Sequence, residues 1–213
     1  APVVTYMDFL SLTYHDVFDE QILKILGEVE RQSERAIALL DDLLDLAQVS
    51  HVKPGDNPTD VNMIVDEVVH EIILENEQNP QIKSEKLPQS WLPETLVYQI
   101  FTNLLRNACH YAPLESGDIE VGCWDEKDAV TYFVRDHGPG VPFSDREKIF
   151  EIFYRGKTSK GKRGTGVGLA IVRKIALRCQ GKAWVEQTPG GGATFCFMLP
   201  KTPAFGKHSE ETS

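Results

Sequence analysis

Beyond residue 60, apolar and polar positions alternate with two distinct periods. Apolar residues that recur every three or four positions predict helices at 61–75, 94–112, 144–151 and 167–180. Shorter apolar runs between turn residues predict strands at 81–87, 118–125, 129–135, 182–187 and 194–199. Elements in this order favour an α/β (α+β) two-layer sandwich, in which a mixed sheet carries its helices on one face.

The first 50 residues follow another pattern, an apolar heptad repeat along one helix of roughly 35 residues. A single helix cannot bury such a seam alone. We therefore expect a homodimer through the N-terminal helix, and packing of the seam on the chain's own globular part is the alternative. The seam consists of Ile22, Leu26, Val29, Ser33, Ala36, Leu40, Leu43 and Ala47.

Breaks in these patterns predict the domain organisation. Residues 1–50 form the helical dimerisation element, and 51–58 form a linker because Pro54, Gly55 and Pro58 interrupt any regular structure. Residues 59–200 form one globular domain, and the polar stretch 201–213 is expected to be a flexible tail.

Composition and charge narrow the classes of function. A net charge of −10, with no basic stripe outside 155–163, argues against a nucleic-acid partner. The apolar runs are too short to cross a bilayer and no signal peptide is visible, so we expect no membrane contact by this chain. The four cysteines are scattered and are predicted to be buried thiols, not disulfides or zinc ligands, and the six histidines have no metal-ligand spacing.

The predicted helix 94–112 carries polar residues suited to a metal ion and to phosphate. Asn103 and Asn107 are four residues apart and therefore lie on one side of the helix. An amide oxygen is a good ligand for Mg²⁺, which keeps several waters and takes other ligands from phosphates. His110 and Tyr111, one turn further on, could reach phosphate oxygens. Local hydrogen bonding by the two asparagines is the alternative.

Two glycine-rich segments complete a candidate nucleotide site. Asp136 ends a predicted strand and enters the turn Gly138-Pro-Gly140, where a buried carboxylate could accept a hydrogen bond from the adenine amine; an ordinary turn is the alternative. The glycines of 164–168 precede a helix whose N-terminus favours anions. Residues 155–163 hold five basic residues and no acid, which predicts a mobile cationic flap over phosphates, or else a plain surface loop.

These motifs together resemble the ATP-binding domain of sensor histidine kinases, within the superfamily of gyrase, Hsp90 and MutL ATPases. Residues 103–112 resemble the N box of the family, and 136–142 resemble its first glycine box. Residues 149–156 resemble its F box, 164–170 its second glycine box, and 190–200 its closing strand. The resemblance runs from roughly residue 60 to residue 200 in family order.

The resemblance implies a role for each matching residue. Asn107 would bind Mg²⁺ and Asp136 the adenine amine, and the glycines would shape the pocket and the lid hinge. Phe150 and Phe153 would anchor the lid. Hydrolytic members have a glutamate base where Asn103 stands, so the γ-phosphate would await a protein nucleophile. The residues expected around ATP are Asn103, Asn107, His110, Tyr111, Asp136, Gly138, Gly140, Phe150, Phe153, Arg155, Gly164, Thr165, Gly166, Val167, Gly168 and Leu169.

The N-terminal part resembles the dimerisation and histidine-phosphotransfer hairpin of the same family. The match covers residues 35–47 and the segment around His15, which would be the phospho-acceptor, with Asp16 as its orienting base. Residues 17–20 depart from the family pattern, and only 32 residues separate His15 from Ala47. Either part of the hairpin is absent from this chain or the hairpin is degenerate.

The sequence therefore favours an ATP-dependent protein-histidine kinase of a two-component system. The resemblance implies ATP and Mg²⁺ as cofactors and a response-regulator receiver domain as partner. It also implies a cytoplasmic location, whether or not the parent protein is anchored in a membrane. Two alternatives remain: a nucleotide-binding but catalytically degenerate phosphorelay or docking module, and a gyrase-type ATPase, against which Asn103 argues.

Overall fold

A computed structural model describes residues 2–14, 17–49, 57–75, 80–112, 117–156 and 164–202. Several predictions lie outside these residues: the phospho-acceptor His15 with Asp16, residues 157–163 of the flap, linker residues 51–56 and tail residues 203–213. The chain divides into two compact units, Ala1–Leu44 and Asp45–Ser213.

The N-terminal region contains two helices where one helix of roughly 35 residues was predicted. Helix α1 spans Pro2–Thr13, and helix α2 spans Glu20–Gln48. Asp19 explains where α2 begins, because its Oδ1 accepts a hydrogen bond from the Ile22 backbone N–H at 2.8 Å, as an N-cap residue does. No side chain of α2 is buried, and Leu40 of the predicted seam is 62 % exposed.

The larger unit is built on a mixed five-stranded sheet in the order β1-β2-β3-β5-β4. Strand β1 pairs in parallel with β2, and the other pairs are antiparallel. The last of the described strands, β5, therefore lies between β3 and β4. The strands are β1 (Ile82–Ser84), β2 (Ile119–Asp125), β3 (Ala129–Arg135), β4 (Lys182–Gln187) and β5 (Ala193–Pro200).

Three helices accompany this sheet: α3 (Val61–Glu75), α4 (Glu94–Tyr111) and α5 (Gly168–Arg178). Helix α4 packs on β3, α5 packs on β4 and β5, and α3 packs against α4. The core joins the layers through Phe101, Tyr132 and Phe197, whose ring centroids lie 5.2–6.2 Å apart. Such aromatic contacts stabilise the layers beyond simple area burial. The predicted two-layer fold with a mixed sheet is confirmed.

Two predicted elements differ from the structure. Residues 144–151 form no α-helix but two single 3₁₀ turns, Phe143–Asp145 and Lys148–Phe150, since only Phe150 in this segment is buried and one apolar contact cannot hold two helical turns. Strand β1 covers three residues of the predicted seven. The backbone of Leu87 is hydrogen-bonded to the Asn62 side chain and not to a strand, because Asn62 accepts from the Leu87 N–H at 2.8 Å and donates to the Leu87 carbonyl at 2.9 Å.

The cysteines only partly match the expectation of buried thiols. Cys179 and Cys196 are buried, whereas Cys109 and Cys123 are half-buried, and all four are free. Burial raises the pKa of Cys179 to about 11 and that of Cys196 to about 12, so these thiols stay protonated at neutral pH. Among the described residues, no helix combines the length and apolar character needed to cross a bilayer.

Candidate functional site

A cavity of about 340 Å³ lies in the larger unit, between the inner surface of α4, the turn after β3 and the N-terminus of α5. This volume falls within the range of small-molecule sites. Most of the predicted site residues line it: Asn103, Asn107, His110, Tyr111, Asp136, Gly140, Arg155, Gly164, Thr165, Gly166, Gly168 and Leu169.

The Asp136 carboxylate is fixed by two backbone amides. Its Oδ1 accepts hydrogen bonds from the N–H of Gly138 at 2.8 Å and from the N–H of Ala193 at 3.2 Å. Within the part of the chain that the structure describes, Oδ2 takes part in no such bond, so this oxygen can accept from a ligand in the cavity. Burial raises the pKa of Asp136, and the two amide bonds partly oppose that effect.

Close backbone approaches hold this turn against the loop between β4 and β5. Gly140 has a φ of 71°, and a Cβ atom there would lie 2.8 Å from the carbonyl oxygen of Gly192. Glycine is required because an L side chain would be both strained and in overlap. The Ala193 N–H that holds Asp136 comes from the start of β5. A sequence pattern could not reveal this contact, because it depends on the pairing of β3 with β5.

Helix α4 forms the floor of the cavity. At its C-terminal end, the Tyr111 carbonyl oxygen lies within 3.1 Å of a Cβ atom built on Gly138, so this end adjoins the Asp136 turn. The other end of the floor is at Asn103, eight residues before Tyr111. A Cβ atom on Gly168 would overlap Asn103 Oδ1, so the α5 N-terminus adjoins the floor there. Eight helical residues span about 12 Å. The carboxylate and the helix N-terminus therefore stand at opposite ends of the floor.

The start of α5 is suited to an anion. The first backbone N–H groups of a helix have no partner within the helix, and the helix dipole favours negative charge there. Gly166 accepts a hydrogen bond from the Phe153 N–H at 2.9 Å, which ties this loop to the segment after the second 3₁₀ turn. Thr165 Oγ1 accepts from the Val167 N–H at 3.3 Å.

Four predicted residues do not line the cavity: Gly138, Phe150, Phe153 and Val167. Val167 is fully buried and Phe150 is 5 % exposed, so both support the site from beneath. The Phe153 side chain is 56 % exposed and its φ is 67°. In the described residues, this segment meets the loop before α5 through the Phe153 backbone, and a lid-anchoring role for its ring stays a prediction.

Residues that were not predicted from the sequence complete the wall of the cavity. Val141, Ile149 and Phe195 line the cavity together with Leu169 and give it the apolar surface that a flat ring system would require. Their apolar character was visible in the sequence, but only the fold brings them together. Arg106, Asp145 and Tyr154 add polar groups.

The described residues of this site could hold Mg²⁺ only together with a ligand. No cluster of three His, Cys, Asp or Glu side chains suited to a metal is found among them. Asn103 and Asn107 line the cavity and offer neutral amide oxygens. This set fits an ion that keeps several waters and shares phosphate oxygens.

A sequence profile described as histidine kinase-, DNA gyrase B- and HSP90-like ATPase matches residues 93–203, from the start of α4 to the end of β5. The matched stretch contains every wall of the cavity. The chain belongs to this ATPase family. The resemblance of the motifs to those of sensor histidine kinases is confirmed by relatives and solved structures that carry that name.

Several curated relatives match nearly the whole chain. The phytochrome-like protein Cph1 of Synechocystis is 31 % identical over 199 residues, which are 93 % of this chain and 27 % of that protein. The phosphate regulon sensor protein PhoR of Pseudomonas aeruginosa is 31 % identical, over 93 % of this chain and 46 % of that protein. The adaptive-response sensory kinase SasA of Trichormus variabilis is 30 % identical, over 86 % and 47 %. The chain thus spans between a quarter and a half of these relatives.

Solved structures share the fold of this chain. The catalytic domain of histidine kinase ThkA is 30 % identical with a TM-score of 0.59, and the match covers 69 % of this chain and 98 % of that domain. Full-length ShkA in complex with AMPPNP aligns with a TM-score of 0.70 at 24 % identity, over 96 % of this chain and 44 % of ShkA. The ShkA likeness is one of fold.

Proposed function

We propose that this chain is the catalytic part of an ATP-dependent protein-histidine kinase of a two-component system. It phosphorylates a histidine and passes the phosphate to an aspartate of a response-regulator receiver domain on the cytoplasmic side. The observation that carries the proposal is the placement of the Asp136 carboxylate and the α5 N-terminus at opposite ends of the α4 floor. The first fits an adenine amine, and the second fits the phosphate chain.

Each described group then has a role in holding ATP. Asp136 Oδ2 accepts a hydrogen bond from the adenine amine, and the apolar wall contacts the ring. The backbone N–H groups at the start of α5 bind phosphate oxygens. Arg155, His110 and Tyr111 line the same cavity and donate to phosphate oxygens.

Mg²⁺ would be held by Asn107, with Asn103 beside it, and it neutralises phosphate charge when bound. Asn103 also bears on the fate of the γ-phosphate. Its Nδ2 donates to the Gln99 carbonyl at 2.8 Å, and an amide is no base for water. A site without a water-activating base at this position favours transfer to a protein nucleophile over hydrolysis.

The acceptor in this proposal is His15. Its imidazole nitrogen attacks the γ-phosphorus, the bond to the β–γ bridging oxygen breaks, and ADP leaves with the electron pair. Asp16 orients the ring and takes the proton that the ring loses. The receiver-domain aspartate then attacks the phosphorus, the P–N bond breaks, and Asp16 returns the proton so that the ring leaves as a neutral imidazole.

The experiment is to incubate the chain with Mg²⁺ and ATP labelled at the γ-phosphate. We expect protein-bound label that is lost in acid and kept in base, as a phosphoramidate requires, and peptide mapping should place it on His15. Label that survives acid would point to a hydroxyl acceptor and contradict the proposal. A chain that binds ATP but never takes label would favour the second candidate, a docking module. The departure of residues 17–20 from the family pattern supports that candidate.

Dimerisation through α2 is the second part of this proposal. The seam residues Ile22, Val29, Leu40 and Leu43 are exposed in the single chain, which is costly for apolar side chains unless a partner covers them. Leu40→Glu should give a monomer that still binds ATP, because a dimer would bury two unpaired carboxylates. Light scattering should show the mass halved. Ala38→Glu, on the exposed surface outside the seam, should remain dimeric, and equal masses for both variants would remove the seam assignment.

A further inference from the structure

Arg106 is a cavity residue to which the proposed function assigns no role. It lies between the two asparagines of α4, three residues after Asn103 and one before Asn107, and it lines the cavity. By helical rise it stands about 4.5 Å along the axis from Asn103 and about 7.5 Å from Tyr111. It is therefore nearer to the α5 end of the floor than to the end that adjoins Asp136.

In this structure, Arg106 is paired with Glu75, the last residue of α3. Its Nη2 atom lies 3.0 Å from Oε1 and 2.9 Å from Oε2 of Glu75. Both contacts come from one nitrogen, so the pair lacks the two parallel bonds that hold a guanidinium and a carboxylate most firmly. The Arg106 and Glu75 side chains are 54 % and 58 % exposed. Exposed ion pairs of this kind stabilise a fold little.

Phosphate competes well with such a carboxylate. A guanidinium matches the oxygens of a phosphate in two parallel hydrogen bonds, and a triphosphate carries several negative charges where Glu75 carries one. Glu75 does not line the cavity, whereas Arg106 does. We propose that Arg106 binds the phosphate end of the nucleotide. Glu75 holds the Arg106 side chain while the site is empty and competes with phosphate for it when nucleotide binds.

This inference rests on the proposed nucleotide site and adds a positioning pair to it. Binding of a phosphate chain exchanges the Glu75–Arg106 ion pair for an Arg106–phosphate contact, with no covalent step. Arg106 can make this contact with nucleoside di- and triphosphates. AMP gains the least affinity from it, because AMP carries only the α-phosphate next to the ribose. Arg106 thereby favours ATP over AMP, and Glu75 sets how strongly.

The α3–α4 packing does not depend on this pair. Val65, Val68 and Ile72 of α3 are buried, and Tyr98 of α4 donates a hydrogen bond to Glu71 of α3. Substitution of either partner at the exposed end of the pair should therefore leave the fold intact. This independence allows a test in which the two partners act in opposite directions.

The test measures ATP and AMP affinities by calorimetry at low salt with Mg²⁺, for the whole chain. Arg106→Gln should weaken ATP binding about tenfold, the effect of one lost charge-assisted bond, and leave AMP within about twofold. Arg106→Lys should recover part of the loss. Glu75→Gln should instead tighten ATP binding about two- to threefold, because the competing carboxylate is gone. The double variant should behave like Arg106→Gln alone.

A purely structural ion pair gives a different result. Both single variants would then weaken ATP binding, or leave it unchanged, and either outcome overturns the inference. Arg173→Gln is the matched control, because Arg173 of α5 lies 3.6 Å from Glu147 in another exposed pair and does not line the cavity. This variant should leave ATP affinity unchanged. If it lost as much affinity as Arg106→Gln, the effect of Arg106→Gln would come from the loss of one positive charge and not from a specific contact, and the inference would be overturned.

Failure of this inference is distinct from failure of the proposed function. If the wild-type chain binds no ATP at all, the nucleotide site itself is wrong. If the wild type binds ATP and Asp136→Asn strongly weakens binding, while Arg106→Gln and Glu75→Gln match the wild type, only the role of the pair is overturned.

Discussion

Replacing Asp136 with asparagine is expected to weaken ATP binding about 100-fold while the fold persists. Oδ1 accepts from the Gly138 and Ala193 amides, so an asparagine must keep its oxygen there and point its amide nitrogen into the cavity. That nitrogen is a donor, and it would face the adenine amine, which is also a donor. The variant thus loses a charge-assisted bond and leaves two donors facing each other.

The same substitution should not reduce the stability of the nucleotide-free chain. Burial raises the pKa of Asp136, which means that the fold disfavours its charged form, and asparagine removes that charge while preserving both amide bonds. The melting temperature without nucleotide should equal or exceed that of the wild type at neutral pH. Asp128→Asn, on the exposed turn between β2 and β3, is the control for both measurements. Unchanged ADP affinity in Asp136→Asn would remove the pocket assignment.

The raised pKa also predicts how pH acts on binding. As the pH falls through the pKa of folded Asp136, the carboxyl takes up a proton, and ATP affinity should fall with it. The contribution of Asp136 to the stability of the empty chain changes in the opposite sense, because an acid with a raised pKa in the folded state binds its proton more tightly there than in the unfolded chain. This contribution to the free energy of unfolding therefore increases as the pH falls. Titration calorimetry should show ATP affinity falling across acidic pH. The melting temperature of the empty wild type relative to that of Asp136→Asn should rise over the same range, since this difference removes the contributions of the other carboxyls.

Gly192→Ala is expected to be the most damaging single-methyl change near the site. Gly192 has a φ of 106°, and a Cβ atom there would overlap the carbonyl oxygen of Asp136. Gly191 provides a close control, since its φ is 116° but a Cβ atom there meets nothing within 4 Å. Both variants carry the backbone strain of about 1–3 kcal/mol. Only Gly192→Ala adds the overlap, which we expect to cost about 2 kcal/mol more.

The measurements are a thermal melt and an ADP titration. Gly192→Ala should melt about 4–8 °C below Gly191→Ala, by the usual conversion for a unit of this size. It should also lose ADP affinity, because displacement of the β4–β5 loop moves the Ala193 N–H away from Asp136 Oδ1. Gly191→Ala should keep its ADP affinity. Equal melting temperatures would show that the loop relaxes freely and that its contact with the Asp136 turn is dispensable.

Local patterns predicted the elements whose interactions are local or strictly periodic. Helix α3 and strands β3 and β4 begin and end where the sequence predicted. The prediction was wrong for 144–151, because helical spacing of a few apolar residues does not ensure that they are buried. It was too long for β1, because the Asn62 side chain, 25 residues away, occupies the Leu87 backbone.

The candidate site shows the same division. The glycines and Asp136 were predictable from the sequence, because such a combination of residue types at fixed spacing is rare. Arg106 was not assigned, since only the arrangement of α3 beside α4 shows that Glu75 holds it and that it still lines the cavity. The Ala193 amide was missed because a backbone group leaves no trace in the residue type.

The position of β5 between β3 and β4 has a consequence for the order in which the chain is made. Synthesis delivers β3 and β4 first, and the strand that must lie between them emerges afterwards. Until β5 is in place, no Ala193 amide holds Asp136, and both neighbouring strands have open edges. We therefore expect that ATP does not stabilise a nascent chain before β5 has left the ribosome. Nucleotide binding reports that the sheet is complete, and chains truncated before residue 193 should be recognised by proteases as unfinished whatever the ATP concentration.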